Sequence, residues 1–247
     1  MKRRHALLLA ALITGLIASN LAILELQTQE NKAQITIARV IDGDTIETSE
    51  GEKIRLLNIN TPEKNKPGYD QATNFLKQFE NRSVQIEDLG ADKYQRTLAR
   101  IYTPEYLNLK IIQEGLAVKF LVDESETKLF ASAEAEAIQQ QKGIWKHAPE
   151  FNCIQSDIDE KAEVITLKNT CRPIALEGWI LKDESRKTYN FHNTTITSII
   201  IVHSGKGTND QENKYWNLNT NVWNNNRDTL YLFDSAGRIV HTHPYGY

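Results

Sequence analysis

The apolar residues of this chain change their spacing at Asp70 and again beyond Pro149, and those two changes limit what it can fold into. From Gln34 to Ile41, Thr45 to Thr48 and Lys53 to Ile59, β-branched residues alternate with polar ones, the pattern of strands with one buried face. Asp42-Gly43-Asp44 and Ser49-Glu50-Gly51-Glu52 read as turns between them. After Asp70 the period lengthens: Ala72, Phe75, Leu76 and Phe79 fall at helical spacing. Ser83 to Glu87 and Thr97 to Tyr102 return to strands. Leu107 to Glu114 and Thr127 to Lys142 read as helices stopped by Gly115 and Gly143, with Trp145 packing down behind the second. Residues 34–150 are thus expected to form one domain of about five strands and three helices.

Beyond Pro149 helical spacing does not return. Ala162 to Lys168, Ile174 to Leu181, Thr188 to Phe191, Ile196 to His203, Thr229 to Phe233 and Arg238 to His241 read as strands, which predicts an all-β sandwich over 151–247. Residues 204–228 form a long loop rich in Asn, Gly and Trp. Asn and Gly satisfy turn backbones well, so a hydrogen-bonded structural loop is the preferred reading over a recognition surface.

Residues 1–33 are of another kind. Lys2, Arg3, Arg4 and His5 precede an apolar run from Ala6 to Leu24, interrupted only by Thr14, Ser19 and Asn20. As a helix this run would span about 28 Å, near the thickness of a bilayer core. Basic residues on its N-terminal side place the rest of the chain outside the cytoplasm. A retained signal anchor with a polar stalk and a cleaved signal peptide both remain open. Export would put Cys153 and Cys171 in an oxidising compartment, where a disulfide is expected, contributing about 3 kcal/mol.

Charge narrows the function. The chain has a net charge of −3, and residues 34–150 hold 15 Lys and Arg against 19 Asp and Glu. A protein that coats nucleic acid by phosphate attraction would be basic. Any phosphate site must be a local positive pocket, as in an enzyme that binds transiently.

The first domain carries such an inventory. Asp44 opens a strand after a glycine turn, and Asn60 and Thr61 end another strand before Pro62. If those strands adjoin, the Asp44 carboxylate, the Asn60 amide oxygen and the Thr61 carbonyl offer hard oxygen ligands for Ca²⁺ or Mg²⁺. Glu63, on a loop fixed by Pro62, can hold a water and accept its proton. Arg55 and Arg96 can clamp a phosphate and hold the charge of a five-coordinate transition state. Each short motif is commonplace alone; their order together is not.

Val40-Ile41-Asp42-Gly43-Asp44-Thr45, Arg55-Leu56-Leu57, Thr61-Pro62-Glu63, Asp92-Lys93-Tyr94-Gln95-Arg96, Gly115-Leu116-Ala117 and Gly143-Ile144-Trp145 resemble the staphylococcal nuclease (thermonuclease) family over about residues 34–148. The resemblance implies an OB-fold, a five-stranded β-barrel with flanking helices, and Ca²⁺-dependent hydrolysis of DNA and RNA. It makes Asp44 and Thr61 cation ligands, Glu63 the general base, Arg55 and Arg96 the phosphate arginines, and Lys93 and Tyr94 the lining of a nucleotide pocket. Three departures stand out. Asn60 replaces a second cation-binding aspartate, which predicts weaker cation binding. Gln95 replaces a glycine before Arg96; a turn that needs positive φ there would either strain Gln95 or be reshaped, and the placement of Arg96 depends on which. Phe120 is the only aromatic near the place where tyrosines are expected.

Val164-Ile165-Thr166-Leu167, Leu176-Glu177-Gly178-Trp179 and Val202-His203-Ser204-Gly205, extended by Tyr215-Trp216 and Val222-Trp223-Asn224-Asn225, resemble the lamin-tail domain over about 153–247. That implies an immunoglobulin-like sandwich, with Trp179 in its core and a role in binding or targeting, and no catalytic set. Lys182-Asp183-Glu184-Ser185-Arg186-Lys187 alternates in sign and reads as a solvated turn. His241 and His243 share a strand face but lack a third metal ligand.

The whole is expected to be an exported, membrane-anchored or secreted, Ca²⁺-dependent nuclease with nucleic acid as substrate and an unidentified partner for the sandwich. The alternatives are a non-catalytic nucleic-acid-binding protein and a cell-surface adhesion protein.

Overall fold

The computed structural model describes His5, residues 13–17, Ser19 and residues 32–247. The expected N-terminal apolar helix and its stalk fall almost wholly outside the described residues. Among the described residues no helix is long and apolar enough to cross a membrane.

A closed five-stranded barrel comes first, in the order β1 (Ala33–Val40), β2 (Thr45–Thr48), β3 (Lys53–Leu56), β6 (Thr97–Tyr102) and β5 (Ser83–Ala91). Its neighbours are antiparallel except β3 and β6, which run parallel with Arg55 opposite Leu98. The alternation read from β1 is shifted midway. A register break between Ile37 and Arg39 lets Ile37 and Val40, three residues apart, both face the core. Closure leaves no exposed sheet edge. Helices α1 (Tyr69–Lys77), α2 (Leu107–Gln113) and α3 (Thr127–Gln139) cover the barrel, as their spacing predicted.

The strand expected from Lys53 to Ile59 is two pieces. Asn58 turns the chain with φ 66°, a conformation Asn tolerates better than most residues, and its side chain donates to Glu126 Oε2 at 2.6 Å. The second piece, β4 (Ile59–Asn60), pairs with β7 (Val118–Lys119), so Asn60 lies opposite Val118. α2 ends at Gly115, which lies back to back with Gly143. A Cβ on either would strike the other segment's backbone, and both have positive φ. That contact tucks the end of α3 against α2 and aims Ile144 and Trp145 onward.

Two four-stranded sheets follow. One has the order β12 (Thr188–Asn190), β11 (Ile180–Lys182), β16 (Asp228–Phe233), β17 (Ile239–Tyr245). The other has the order β15 (Asn213–Tyr215), β14 (Ile199–His203), β9 (Val164–Asn169), β8 (Ile154–Asp159). They share one core: Ile165, Leu167, Ile200 and Val202 of the second sheet pack with Leu181, Leu230, Leu232 and Val240 of the first, with Trp179 buried among them. β10 (Ile174–Ala175) and β13 (Thr195–Ile196) form a small separate pair, because Gly178 (φ 73°) breaks the run expected from Ile174 to Leu181. β8 was not legible: Asp157 and Asp159 on its exposed face hide the alternation of Ile154 and Ile158. The long loop is tied by its own side chains, as anticipated. Asp210 accepts from the backbone N–H of Glu212 and Asn213, and Trp216 meets Trp223 edge to face. Cys153 and Cys171 are joined in a disulfide.

The two domains are fused by a third core. Trp145, fully buried, stacks on Tyr231 at 5.7 Å and Phe233 at 6.3 Å, with Val118, Ala137 and Ile239 around them. Backbone bonds cross as well: Ile239 N–H donates to Lys146 O at 2.9 Å and Ala148 N–H to Ile239 O at 2.8 Å. Trp145 therefore packs onto the second domain and not merely back onto its own helices.

Candidate active site

One mouth of the barrel gathers the chemistry. The bend at Asp42-Gly43 delivers Asp44, buried, to the start of β2. A side chain at Gly43 would meet Ala72 Cβ at 2.6 Å and Thr61 Oγ1 at 2.8 Å, so only glycine allows the bend to approach Thr61. That approach is used. Asp44 Oδ2 accepts from the Thr61 backbone N–H at 2.8 Å and from Thr61 Oγ1 at 2.9 Å. Arg55, also buried, reaches the same oxygen at 3.2 Å and donates through Nη2 to Ile59 O at 2.8 Å and through Nη1 to Leu56 O. Burial pulls the Arg55 pKa down and the Asp44 charge pulls it back up, with burial the stronger.

Asp44 Oδ1 is bonded more lightly, by Thr45 Oγ1 at 3.3 Å. Beside it lies Asp42, whose Oδ1 accepts the Asp44 N–H at 3.1 Å. Burial first, and the Asp44 charge second, push the Asp42 carboxyl above its ordinary value. Two crowded carboxyls and the nearby Asn60 amide are hard oxygen donors of the kind Ca²⁺ takes, and a divalent cation would relieve their repulsion. The residues present fit such an ion. Among the described residues, however, no three carboxylate, thiol or imidazole groups converge. The donor set has to be completed by the amide and by main-chain carbonyls. Asp42 and Asp44 stand in the sequence as a carboxylate pair across one glycine, and the fold brings the two together.

Arg96 lies at the far side. Gln95 has φ 61°, so the turn keeps its left-handed residue despite having no glycine. The strain does not misplace Arg96: its Nε donates to Asp92 Oδ2 at 2.8 Å, and Nη1 reaches Thr45 Oγ1 at 3.4 Å, one residue from Asp44. Tyr94, 68% exposed, has Lys93 Nζ 5.0 Å and Arg96 Cζ 5.6 Å from its ring centre. An exposed aromatic flanked by cations can stack a base whose phosphate the cations hold.

Glu63 follows on the Pro62 loop, its side chain 67% exposed, and it is not free. Arg186 of the second domain donates through Nη1 to Glu63 Oε1 at 2.6 Å and through Nη2 to Asn60 Oδ1. The run from Lys182 to Lys187 is therefore not a solvated turn. Asp183 and Glu184 are buried, and Arg186 leans into the barrel mouth. Nothing in the sequence signalled this, since Arg186 and Glu63 are more than a hundred residues apart. His241 and His243 meet at Ser156, whose Oγ lies 2.9 Å from the first and 2.8 Å from the second.

Comparison with known proteins points the same way. Residues 53–147 match the family described as staphylococcal nuclease homologue, and residues 149–247 match the lamin tail domain. An uncharacterized endonuclease of Escherichia coli is 30% identical over 117 residues, which is 45% of this chain and 76% of that protein. A micrococcal nuclease of Shigella flexneri is 28% identical over 125 residues, 44% of this chain and 71% of that protein. A succinoglycan biosynthesis protein of Rhizobium meliloti is 30% identical over 165 residues, 60% of this chain and 85% of that protein.

Proposed function

The chain belongs to the staphylococcal nuclease homologues, with a lamin tail domain behind its barrel, and on that footing we propose that it is an exported, Ca²⁺-dependent nuclease acting on DNA or RNA. The observation that carries this reading is the meeting of Asp44, Thr61 and Arg55 at one barrel mouth, with Arg96 on one flank and Glu63 on the other.

Ca²⁺ held by Asp44, Asn60 and the Thr61 carbonyl, with Asp42 beside them, would supply positive charge next to the scissile phosphate. The protein's own groups do the rest. Glu63 takes a proton from water as the water oxygen bonds to phosphorus. Arg55 and Arg96 donate to the phosphate oxygens as their charge grows. The ester P–O bond then breaks, and its oxygen leaves with a proton from solvent. Lys93 and Tyr94 hold the neighbouring nucleotide.

The charged and apolar N-terminal pattern supports export, by anchor or by cleaved signal, and the disulfide suits an oxidising compartment. The second domain, an immunoglobulin-like sandwich on this reading, serves in binding or targeting. A purely binding protein would have no use for Glu63 beside the arginines. The test is release of acid-soluble nucleotides from DNA and RNA across a series of Ca²⁺ concentrations. Folded protein that leaves both polymers intact throughout, in alkaline buffers as well, overturns the proposal.

A further inference from the structure

The tip of the hairpin between β11 and β12 is built to hold one arginine over the barrel mouth. Asp183, buried, accepts the Lys187 N–H at 2.7 Å and the Ser185 hydroxyl, which closes the turn. Glu184, also buried, anchors it to Asp228 by its N–H at 3.2 Å. Arg186 then takes φ 77°, in the left-handed region that disfavours any residue with a side chain. Glycine would suit that position better. What glycine would lose is the guanidinium on Glu63 and Asn60, which also lies 5.7 Å from the ring centre of Phe120.

We propose that Arg186 is a third phosphate-binding guanidinium of the nuclease site, so that the second domain completes the substrate cleft of the first. This rests on the nuclease reading above. Its two contacts are the groups which, on that reading, turn toward the cation and the attacking water when substrate arrives. Their departure frees two N–H donors beside the phosphate. The shared core around Trp145 ties the two domains together beside the mouth, and the Arg186 side chain is 46% exposed. Asn60 has already removed one negative charge from the cation site. A further positive group there favours the phosphate at the expense of the bare cation.

The test compares the full chain with R186G and R186K on DNA with Ca²⁺, reading kcat and KM together with the melting temperature. R186G relieves the positive φ, so its melting temperature should hold or rise. Its kcat/KM should fall about ten- to a hundredfold, as expected for a lost charge-assisted hydrogen bond. R186K, a point charge without the fork, should recover part of the loss. An R186G chain as fast as the wild type, or faster because the arginine merely blocked Glu63, overturns the inference and leaves the nuclease reading standing. A wild-type chain with no activity sinks both.

Discussion

Lys119 of the first domain and Glu184 of the second form an ion pair at 2.8 Å in the buried seam between the two. Lys119 also binds Glu134 at 2.7 Å and the Thr229 hydroxyl at 2.6 Å, while the Tyr231 hydroxyl donates to Glu134. Burial alone would lower the Lys119 pKa, but the charges of Glu134 and Glu184 raise it instead. One ammonium thus answers two carboxylates contributed by different domains. Because Glu184 belongs to the Arg186 hairpin, the seam also fixes what reaches the barrel mouth.

Lys119→Met should accordingly do more than loosen a contact. It leaves Glu134 and Glu184 buried without the ammonium that both bind, which typically destabilises by about 3–5 kcal/mol. Urea denaturation followed by tryptophan fluorescence should show one transition in the wild type and an earlier one in the variant. A midpoint unchanged by the substitution would mean that the seam is not a stabilising element.

Glu63→Gln keeps the size and the hydrogen bond to Arg186 but cannot accept a proton. If Glu63 is the general base, kcat should fall about 10²- to 10⁴-fold with little change in KM. Steady-state kinetics on a short oligonucleotide would measure this. A variant with undiminished kcat would move the base to another residue.

Asn60→Asp restores a carboxylate beside Asp42 and Asp44. Ligand charge sets affinity in oxygen sites, so Ca²⁺ should bind about tenfold more tightly by calorimetry. Without the ion the added carboxylate meets the Arg186 guanidinium as well as Asp42 and Asp44, so Ca²⁺ should raise the melting temperature more in the variant than in the wild type. Equal or weaker Ca²⁺ binding would show that Asn60 does not face the ion.

These sites differ in how far the sequence disclosed them. The grouping of Asp44, Arg55, Glu63 and Arg96 was legible from the order of short motifs, because Asp44 and Arg96 directly precede strands, where local turns such as Asp42-Gly43 decide the geometry. Gln95 was legible as a departure, and its φ of 61° shows the strained conformation and not a reshaped turn. Arg186 was hidden because its meaning comes from a contact across the domain seam, and a run of mixed charge looks like any exposed hairpin. Trp145 shows the same limit. Its apolar character announced burial, but only the structure shows that the cover is Tyr231 and Phe233. The strand Ile154–Asp159 was missed because half its residues face water, two of them charged.

The pH dependence of stability should carry the mark of His241. Burial, and secondarily the charge of His243, push its pKa down from 6.5 to about 4. Between those values the unfolded chain binds a proton that the folded chain refuses. Stability from this group is therefore complete above pH 6.5 and drains away as the pH falls toward 4, by at most about 3 kcal/mol. Asp228 works in the opposite sense. Burial, then the charges of Asp183 and Glu184, lift it to about 6, so its contribution is greatest in acid and is lost as the pH rises through about 6. The wild-type profile mixes the two, and only a difference isolates the histidine. His241→Gln can still bond Ser156, which lies 2.9 Å from the imidazole, but it does not titrate. Urea midpoints measured at pH 7, 5.5 and 4 should converge on the variant's side: the wild type should lose more stability than His241→Gln on acidification. Parallel profiles would mean that the imidazole between the sheets is protonated as readily in the folded chain as in the unfolded one.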